Sequence, residues 1–209
     1  MTMRHLAIFD YGAGNLHSLA KALAGDDVRI TVESDVMRAA RADMLVLPGV
    51  GAFGAATARL GQARSFVRDA VRDGLPTIGI CLGMQLLFDA SDEGEGAGLG
   101  VLAGRVTRLR ARRVPHIGWN ELASPVEGNA GGSPMAELPL AYFANSYACR
   151  PEDESMVTAW ARHEGDQFAA IVERHRAVGV QFHPEKSSMA GVRFLRRVVD
   201  RLCTMENGE

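Results

Sequence analysis

The chain has 209 residues, 47% apolar and 23% charged, the balance of an ordinary globular protein. Its formal net charge of −2 supplies no global attraction to nucleic acid or to an anionic membrane, and no apolar run reaches the ~20 residues of a membrane span. Three widely separated cysteines, Cys81, Cys149 and Cys203, fit neither a disulfide framework nor a paired zinc site, which predicts a reducing cytoplasmic setting and no metal.

Residues 6–9 (Leu-Ala-Ile-Phe) form a short apolar run, the expected first strand of a buried parallel sheet. The turn cluster Asp10-Tyr-Gly-Ala-Gly14 follows, and Asn15 is placed to cap a helix reaching about Leu23. Gly12 and Gly14 lack the third glycine of a dinucleotide fingerprint, so this turn implies no nucleotide cofactor. Residues 28–32 and 44–47 read as the next two strands, and the strand–helix rhythm argues for an α/β sheet with right-handed crossovers. The third strand runs into Pro48-Gly-Val-Gly-Ala-Phe-Gly54, where proline ends the ladder and Gly49 and Gly51 free the backbone to turn. Such a loop lies where open α/β sheets bind ligands, and its peptides can aim an N–H at a developing oxyanion. With glycines on both sides of Val50, a peptide flip there is cheap, so the loop can rest mis-set until a partner binds. Residues 55–73 read as helical, with Phe66, Ala70 and Val71 facing the core and Gly74 closing the segment.

Residues 77–80 then read as a buried strand and residues 82–89 as a helix, with Gly79-Ile-Cys81-Leu-Gly83 between them. This is the glycine-flanked pattern of a nucleophile elbow, in which a sharp strand-to-helix turn pushes the central side chain out above the sheet. A thiol there sits at a helix N-terminus, whose dipole favours thiolate, and it still needs a base. A small buried core cysteine is the plain alternative. The loop at 91–98 lacks the Lys-Ser/Thr ending of a phosphate loop, and Glu93 within it is free to meet a cationic substrate group.

From Gly104 onward the helical period gives way to extended runs at 105–109, 117–122, 140–147, 156–160, 168–173 and 177–182. They are expected to extend the sheet or to form an antiparallel layer beside it. A basic cluster of Arg105, Arg108, Arg110, Arg112 and Arg113 reads as a solvated face leading into Pro115-His-Ile-Gly-Trp-Asn120, whose Trp119 suits either a partner surface or the core. Residues 125–134 read as a loop within one domain spanning 1–209. Near the end, a strand delivers His183 to its tip, Pro184 stops it, and Glu185 follows. This supplies an imidazole to take a thiol proton and a carboxylate to orient it. Residues 189–202 read as an amphipathic helix packed back on the sheet.

Taken together, Gly79-Ile-Cys81-Leu-Gly-Met-Gln85, Pro48-Gly-Val-Gly51 and Gln181-Phe-His183-Pro-Glu185 resemble the class I, triad-type glutamine amidotransferase family. Asp10-Tyr-Gly-Ala-Gly-Asn15, the stretch 47–53 and above all Pro115-His-Ile-Gly-Trp-Asn120 resemble its branch of imidazole glycerol phosphate synthase glutaminase subunits. The resemblance implies an open, mostly parallel central sheet flanked by helices, with a smaller antiparallel region in the C-terminal half. It implies Cys81 as nucleophile, His183 as base and acid, Glu185 as its orienting carboxylate, and the backbone of Val50, Gly51 and Leu82 as an oxyanion hole. Gly49, Gln85, Glu93, Ser146 and Tyr147 are implied to meet the substrate, L-glutamine, with no cofactor.

Asn15, Trp119, Tyr142 and Lys186 are implied to face a (β/α)-barrel cyclase subunit in a heterodimer. The implied chemistry is hydrolysis through a γ-glutamyl thioester. Ammonia then passes to the cyclase, which makes imidazole glycerol phosphate and an aminoimidazole carboxamide ribotide in histidine biosynthesis. Asn145 departs from the pattern, standing where members commonly carry histidine, and it cannot hold an imidazolium charge. Two other readings compete: the glutaminase of pyridoxal phosphate synthesis, which usually lacks the Pro-His-Ile-Gly-Trp-Asn stretch, and a scaffold that keeps the fold without the chemistry.

Overall fold

A computed structural model describes residues 3–12, 14–124 and 138–205, so the loop expected at 125–134 lies outside the described residues. The N-terminal half alternates strands and helices: β1 (Arg4–Phe9), α1 (Leu16–Leu23), β2 (Val28–Glu33), α2 (Val36–Ala39), β3 (Met44–Leu47), α3 (Phe53–Leu60), α4 (Arg64–Arg72), β4 (Thr77–Ile80) and α5 (Leu82–Leu87). Strands then dominate, with β5 (Ala90–Ser91), β6 (Gly104–Arg108), β7 (His116–Glu121), β8 (Leu140–Asn145), β9 (Tyr147–Pro151), β10 (Val157–His163), β11 (Asp166–Arg174) and β12 (Ala177–Val180), before α6 (Ser188–Thr204).

The main sheet has the order β10-β11-β12-β4-β3-β1-β2. Its five strands from β12 to β2 are parallel, and β10 and β11 extend it antiparallel. The remaining strands form two small sheets, β5-β6-β9 and β7-β8, so the C-terminal runs both lengthen the main sheet and build a layer beside it. Both faces of the parallel part are covered, which is why residues 6–9 of β1 and the whole of β3 read as unbroken apolar runs. Leu6, Ile8, Met44 and Val46 join α1 and α6 in one core, while Ala7, Phe9, Leu45 and Leu47 join α2, α3, α4 and α5 in the other.

Several local expectations change. The helix expected at 55–73 breaks at Gly61, whose φ of 48° is open to glycine, and a 3₁₀ turn at Gly61–Ala63 joins α3 to α4. The break rotates the second half, so Val67 and Val71 are buried, Ala70 is half-buried, and Phe66 is 40% exposed instead of packing in the core. The helix after the elbow ends at Leu87, two residues early. The run at 140–147 divides at Ser146 into β8 and β9, which pair with different neighbours. Asn15 sits at the N-cap position of α1 but in the left-handed region, and its Oδ1 accepts from the Ser18 hydroxyl at 2.8 Å without capping the backbone.

The helix α5 lies hard against the strands beneath it, and glycine makes that possible. A Cβ on Gly79 would stand 2.5 Å from the Gly83 carbonyl oxygen, and one on Gly83 only 2.0 Å from that of Leu47. Both obstacles are backbone, so no side chain can swing away. Gly83→Ala is therefore expected to lift α5 off β3 and destabilise the fold by about 3 kcal/mol or more. Thermal melting should show this as a midpoint lowered by roughly 6–12 °C, and an unchanged midpoint would overturn the close-approach argument.

Candidate functional site

The site lies at the carboxyl ends of three adjacent parallel strands, β3, β4 and β12, where open α/β sheets place their ligands. One residue, Cys81, joins β4 to α5, and its backbone serves both elements. Its N–H donates to the Val180 carbonyl at 2.6 Å, continuing the ladder to β12, and its carbonyl accepts from the Gln85 N–H at 3.1 Å, opening the helix. Meeting both demands forces φ 49° and ψ −104°, a conformation that costs a non-glycine residue about 1–3 kcal/mol. The strain aims the thiol into a cavity of about 270 Å³.

The loop after β3 forms the facing wall. A Cβ on Gly49 would meet the Ile80 carbonyl at 2.9 Å, His183 Cε1 at 3.0 Å and Cys81 Cβ at 3.1 Å. Only glycine lets this backbone approach the Cys81 Cβ and the imidazole together. Gly51 has φ 129° and Leu82 Cδ2 lies 3.4 Å from where its Cβ would be. The buried hydroxyl of Tyr11 donates to the Pro48 carbonyl, tying the start of this loop to the end of β1.

The third side comes from the segment after β12. The His183 N–H donates to the Tyr142 carbonyl at 2.9 Å, and its carbonyl accepts from the Ser187 hydroxyl at 2.7 Å. That hydroxyl accepts in turn from the Tyr142 N–H at 2.9 Å, so the backbone of His183 is clamped between β8 and the start of α6. The side chains of His183 and Glu185 are 2% and 7% exposed, with Nδ1 2.9 Å from Oε1. Burial acts to lower the imidazole pKa, but hydrogen bonds to Cys81 and Glu185 and the charge of both groups override it and raise it to about 9. Beside an ionised Cys81 the imidazole thus holds a proton at neutral pH.

Every residue that the sequence nominates for catalysis, oxyanion binding or substrate contact lines this one cavity: Gly49, Val50, Gly51, Cys81, Leu82, Gln85, Glu93, Ser146, Tyr147 and His183, with Glu185 directly behind the histidine. Glu93 is held there because its Oε2 accepts from the Phe53 N–H at 2.9 Å, at the start of α3. Lys186, nominated for a partner, also lines the cavity. Asn15, Trp119 and Tyr142 do not. Trp119 is 53% exposed on β7, which settles it as a surface residue, and its ring packs edge-on to Tyr142 with centroids 6.2 Å apart. Asn145 is buried in the wall, donating from Nδ2 to the Tyr147 carbonyl at 3.0 Å. Of the arginine cluster, Arg105 pairs with Asp92 and Arg113 with Glu164 on the surface.

Three residues at the site escape the sequence reading. Tyr11 and Ser187 act through backbone carbonyls that only the fold brings within reach. Gln181 reaches Cys81 through strand pairing, although its place two residues before the histidine was a signal available in the motif.

Comparison with known proteins gives this geometry its context. The glutamine amidotransferase class-I family model matches residues 7–200. The chain is 42% identical to imidazole glycerol phosphate synthase subunit HisH of Geobacillus thermodenitrificans, with 100% of both chains covered. It is 40% identical to the subunit of that name from Thermosynechococcus vestitus, over 95% of this chain and 98% of the relative. Among solved structures, PurLQS from Thermotoga maritima superposes with a TM-score of 0.71 at 17% identity, covering 97% of this chain and 100% of that one, which speaks for the fold alone. With the family match running nearly end to end, the chain belongs to the class I glutamine amidotransferases and, among them, to the group of imidazole glycerol phosphate synthase HisH subunits.

Proposed function

We propose that this chain is the glutaminase subunit of imidazole glycerol phosphate synthase, hydrolysing L-glutamine and delivering the ammonia to a (β/α)-barrel cyclase partner in a heterodimer. The observation that carries the chemistry is the buried Cys81, His183 and Glu185 cluster beneath a glycine loop, with the imidazole pKa raised to about 9. The partner assignment draws on the relatives' shared name. The family match over 7–200 and the cores on both faces of one sheet support a single catalytic domain at 1–209. Free Cys81, Cys149 and Cys203 suit a reducing cytoplasm, and among the described residues no helix is long and apolar enough to cross a membrane.

In this reading the γ-carboxamide of glutamine enters the cavity, the Cys81 thiol passes its proton to His183, and the sulfur attacks the carbonyl carbon. The oxygen that gains charge is met by the backbone N–H of Leu82 and of the Val50–Gly51 segment, donors worth about 100- to 1,000-fold each. His183, holding that proton and oriented by Glu185, gives it to the departing nitrogen, which leaves as ammonia. Water then attacks the thioester with His183 taking its proton, and glutamate is released with the sulfur restored. Gln85, Glu93, Ser146 and Tyr147 are placed to bind the amino-acid end of the substrate. Gly49 is the close-approach point of the loop.

The partner face adjoins this machinery. Ile117, Trp119 and Leu140 are 64%, 53% and 47% exposed on the β7–β8 hairpin, and Tyr142 on the same hairpin bonds through its carbonyl to the His183 backbone. Asn15 and Lys186 complete the proposed contact. Docking there has a direct path to the catalytic histidine. The test is glutamate release from glutamine, alone and with a cyclase subunit plus its nucleotide ligand. A large ligand-dependent stimulation is expected, consistent with a loop that is mis-set until the partner engages. Equal rates in every mixture would overturn the partnership while leaving the glutaminase chemistry.

A further inference from the structure

The pairing of β4 with β12 places Val180 opposite Ile80, so the next residues, Cys81 and Gln181, stand side by side. Gln181 is fully buried, and a primary amide without water must satisfy both of its ends inside the protein. Its Nε2 lies 3.6 Å from Cys81 Sγ, and its Oε1 lies 3.4 Å from Gln85 Nε2. Which end faces the sulfur is decided by a carbonyl two links away. The Tyr147 carbonyl can only accept, and Gln85 turns its nitrogen toward it at 3.2 Å. That nitrogen must then meet an oxygen on Gln181, which leaves the Gln181 NH₂ for the sulfur.

We propose that Gln181 stabilises and aims the Cys81 thiolate, with its donor end fixed toward the sulfur by the chain Tyr147 carbonyl–Gln85–Gln181. A hydrogen bond to an ionised acceptor is roughly twice as strong as one between neutral groups, so this donor favours thiolate over thiol. Its part differs from that of His183. The imidazole exchanges a proton during the reaction, whereas an amide cannot, and it holds the sulfur in place from free enzyme to product. Gln85 and Tyr147 also line the substrate cavity, so a ligand that moves the Gln85 amide acts on the sulfur through Gln181.

The inference rests on reading Cys81 as the nucleophile, and its test needs neither glutamine nor a partner. Alkylation by iodoacetamide is followed at the Cys81 peptide by mass spectrometry across pH in wild type and Gln181→Met. Loss of one charge-assisted donor should slow the reaction at neutral pH about tenfold and move the midpoint of the rate profile upward. At high pH, where the sulfur is ionised in both proteins, the rates should converge. An unmoved midpoint, or a depressed high-pH plateau with the same midpoint, would overturn the proposal and leave Gln181 a packing residue. If Gln181→Met does not fold, the Gln181 side-chain amide protons in wild type should shift by NMR as Cys81 ionises, and protons indifferent to that ionisation would overturn it equally. A chain inactive as a glutaminase can still show the midpoint shift, while an active glutaminase indifferent to position 181 refutes this inference alone.

Discussion

Replacing Cys81 with alanine is expected to abolish glutamate release, by about 10⁴-fold or more, while leaving folding and partner binding close to wild type. The size follows from removing the atom proposed to form the thioester, since the remaining groups of a catalytic unit recover little of the rate without their nucleophile. Its selectivity follows from the elbow. Alanine keeps the Cβ and demands the same φ of 49°, so neither the ladder bond to Val180 nor the first bond of α5 is disturbed. The proposed docking residues Asn15, Trp119 and Tyr142 stand outside the cavity and keep their surroundings. The check pairs glutamate release, in the presence of the cyclase and its nucleotide ligand, with a binding titration. Hydrolysis persisting in the variant would remove Cys81 from the nucleophile role.

The elbow is the part of this protein most legible in sequence, because its constraint is local. Gly79 and Gly83 are demanded by backbone oxygens within four residues of chain or on the next strand, and the cysteine between them is held at φ 49° and ψ −104°. The apolar run of β3 is equally plain, since burial on both faces leaves no polar position to blur its ends. Legibility drops where the decisive contact is distant. Phe66 carries the right character for a core face, but the left-handed Gly61 turns it outward, and a helix-period reading does not register that rotation. The split at Ser146 depends on β8 and β9 choosing different partners, which is a property of the assembled sheets. Gln181 could be seen as a motif letter, yet its contact with the sulfur exists only because β12 pairs with β4 in one particular register. Trp119 fitted core and surface alike until β7 was placed at the outside of the fold.

The second large effect concerns Glu185, which touches no substrate in the proposed mechanism and acts through His183. Its Oε1 lies 2.9 Å from Nδ1, and both side chains are almost wholly buried. Burial pushes the imidazole toward its neutral form, and the bonds and charges of Cys81 and Glu185 reverse that push, bringing the pKa to about 9. Glu185→Gln keeps the size and one acceptor oxygen but removes the charge, so residue 185 opposes burial less and the imidazole pKa falls. The sign for activity is fixed by the step His183 performs. It must hold a proton to release ammonia, so the kcat/KM profile of the wild type, which reports the free enzyme, should decline as pH rises through about 9, and that alkaline limb should move toward neutrality in Glu185→Gln. By analogy with an Asp-to-Asn change in a serine triad, kcat should fall by about 10³- to 10⁴-fold. Stability obeys the same linkage. A histidine whose pKa is raised on folding contributes stability that is complete below its ordinary value of 6.5 and is lost as pH climbs through about 9. Wild type should therefore lose thermal stability between pH 7 and 10 more steeply than Glu185→Gln, a readout that needs no partner and no substrate. If the alkaline limb and the melting profile both stay where they are in the wild type, Glu185 is not the residue that sets the charge of His183.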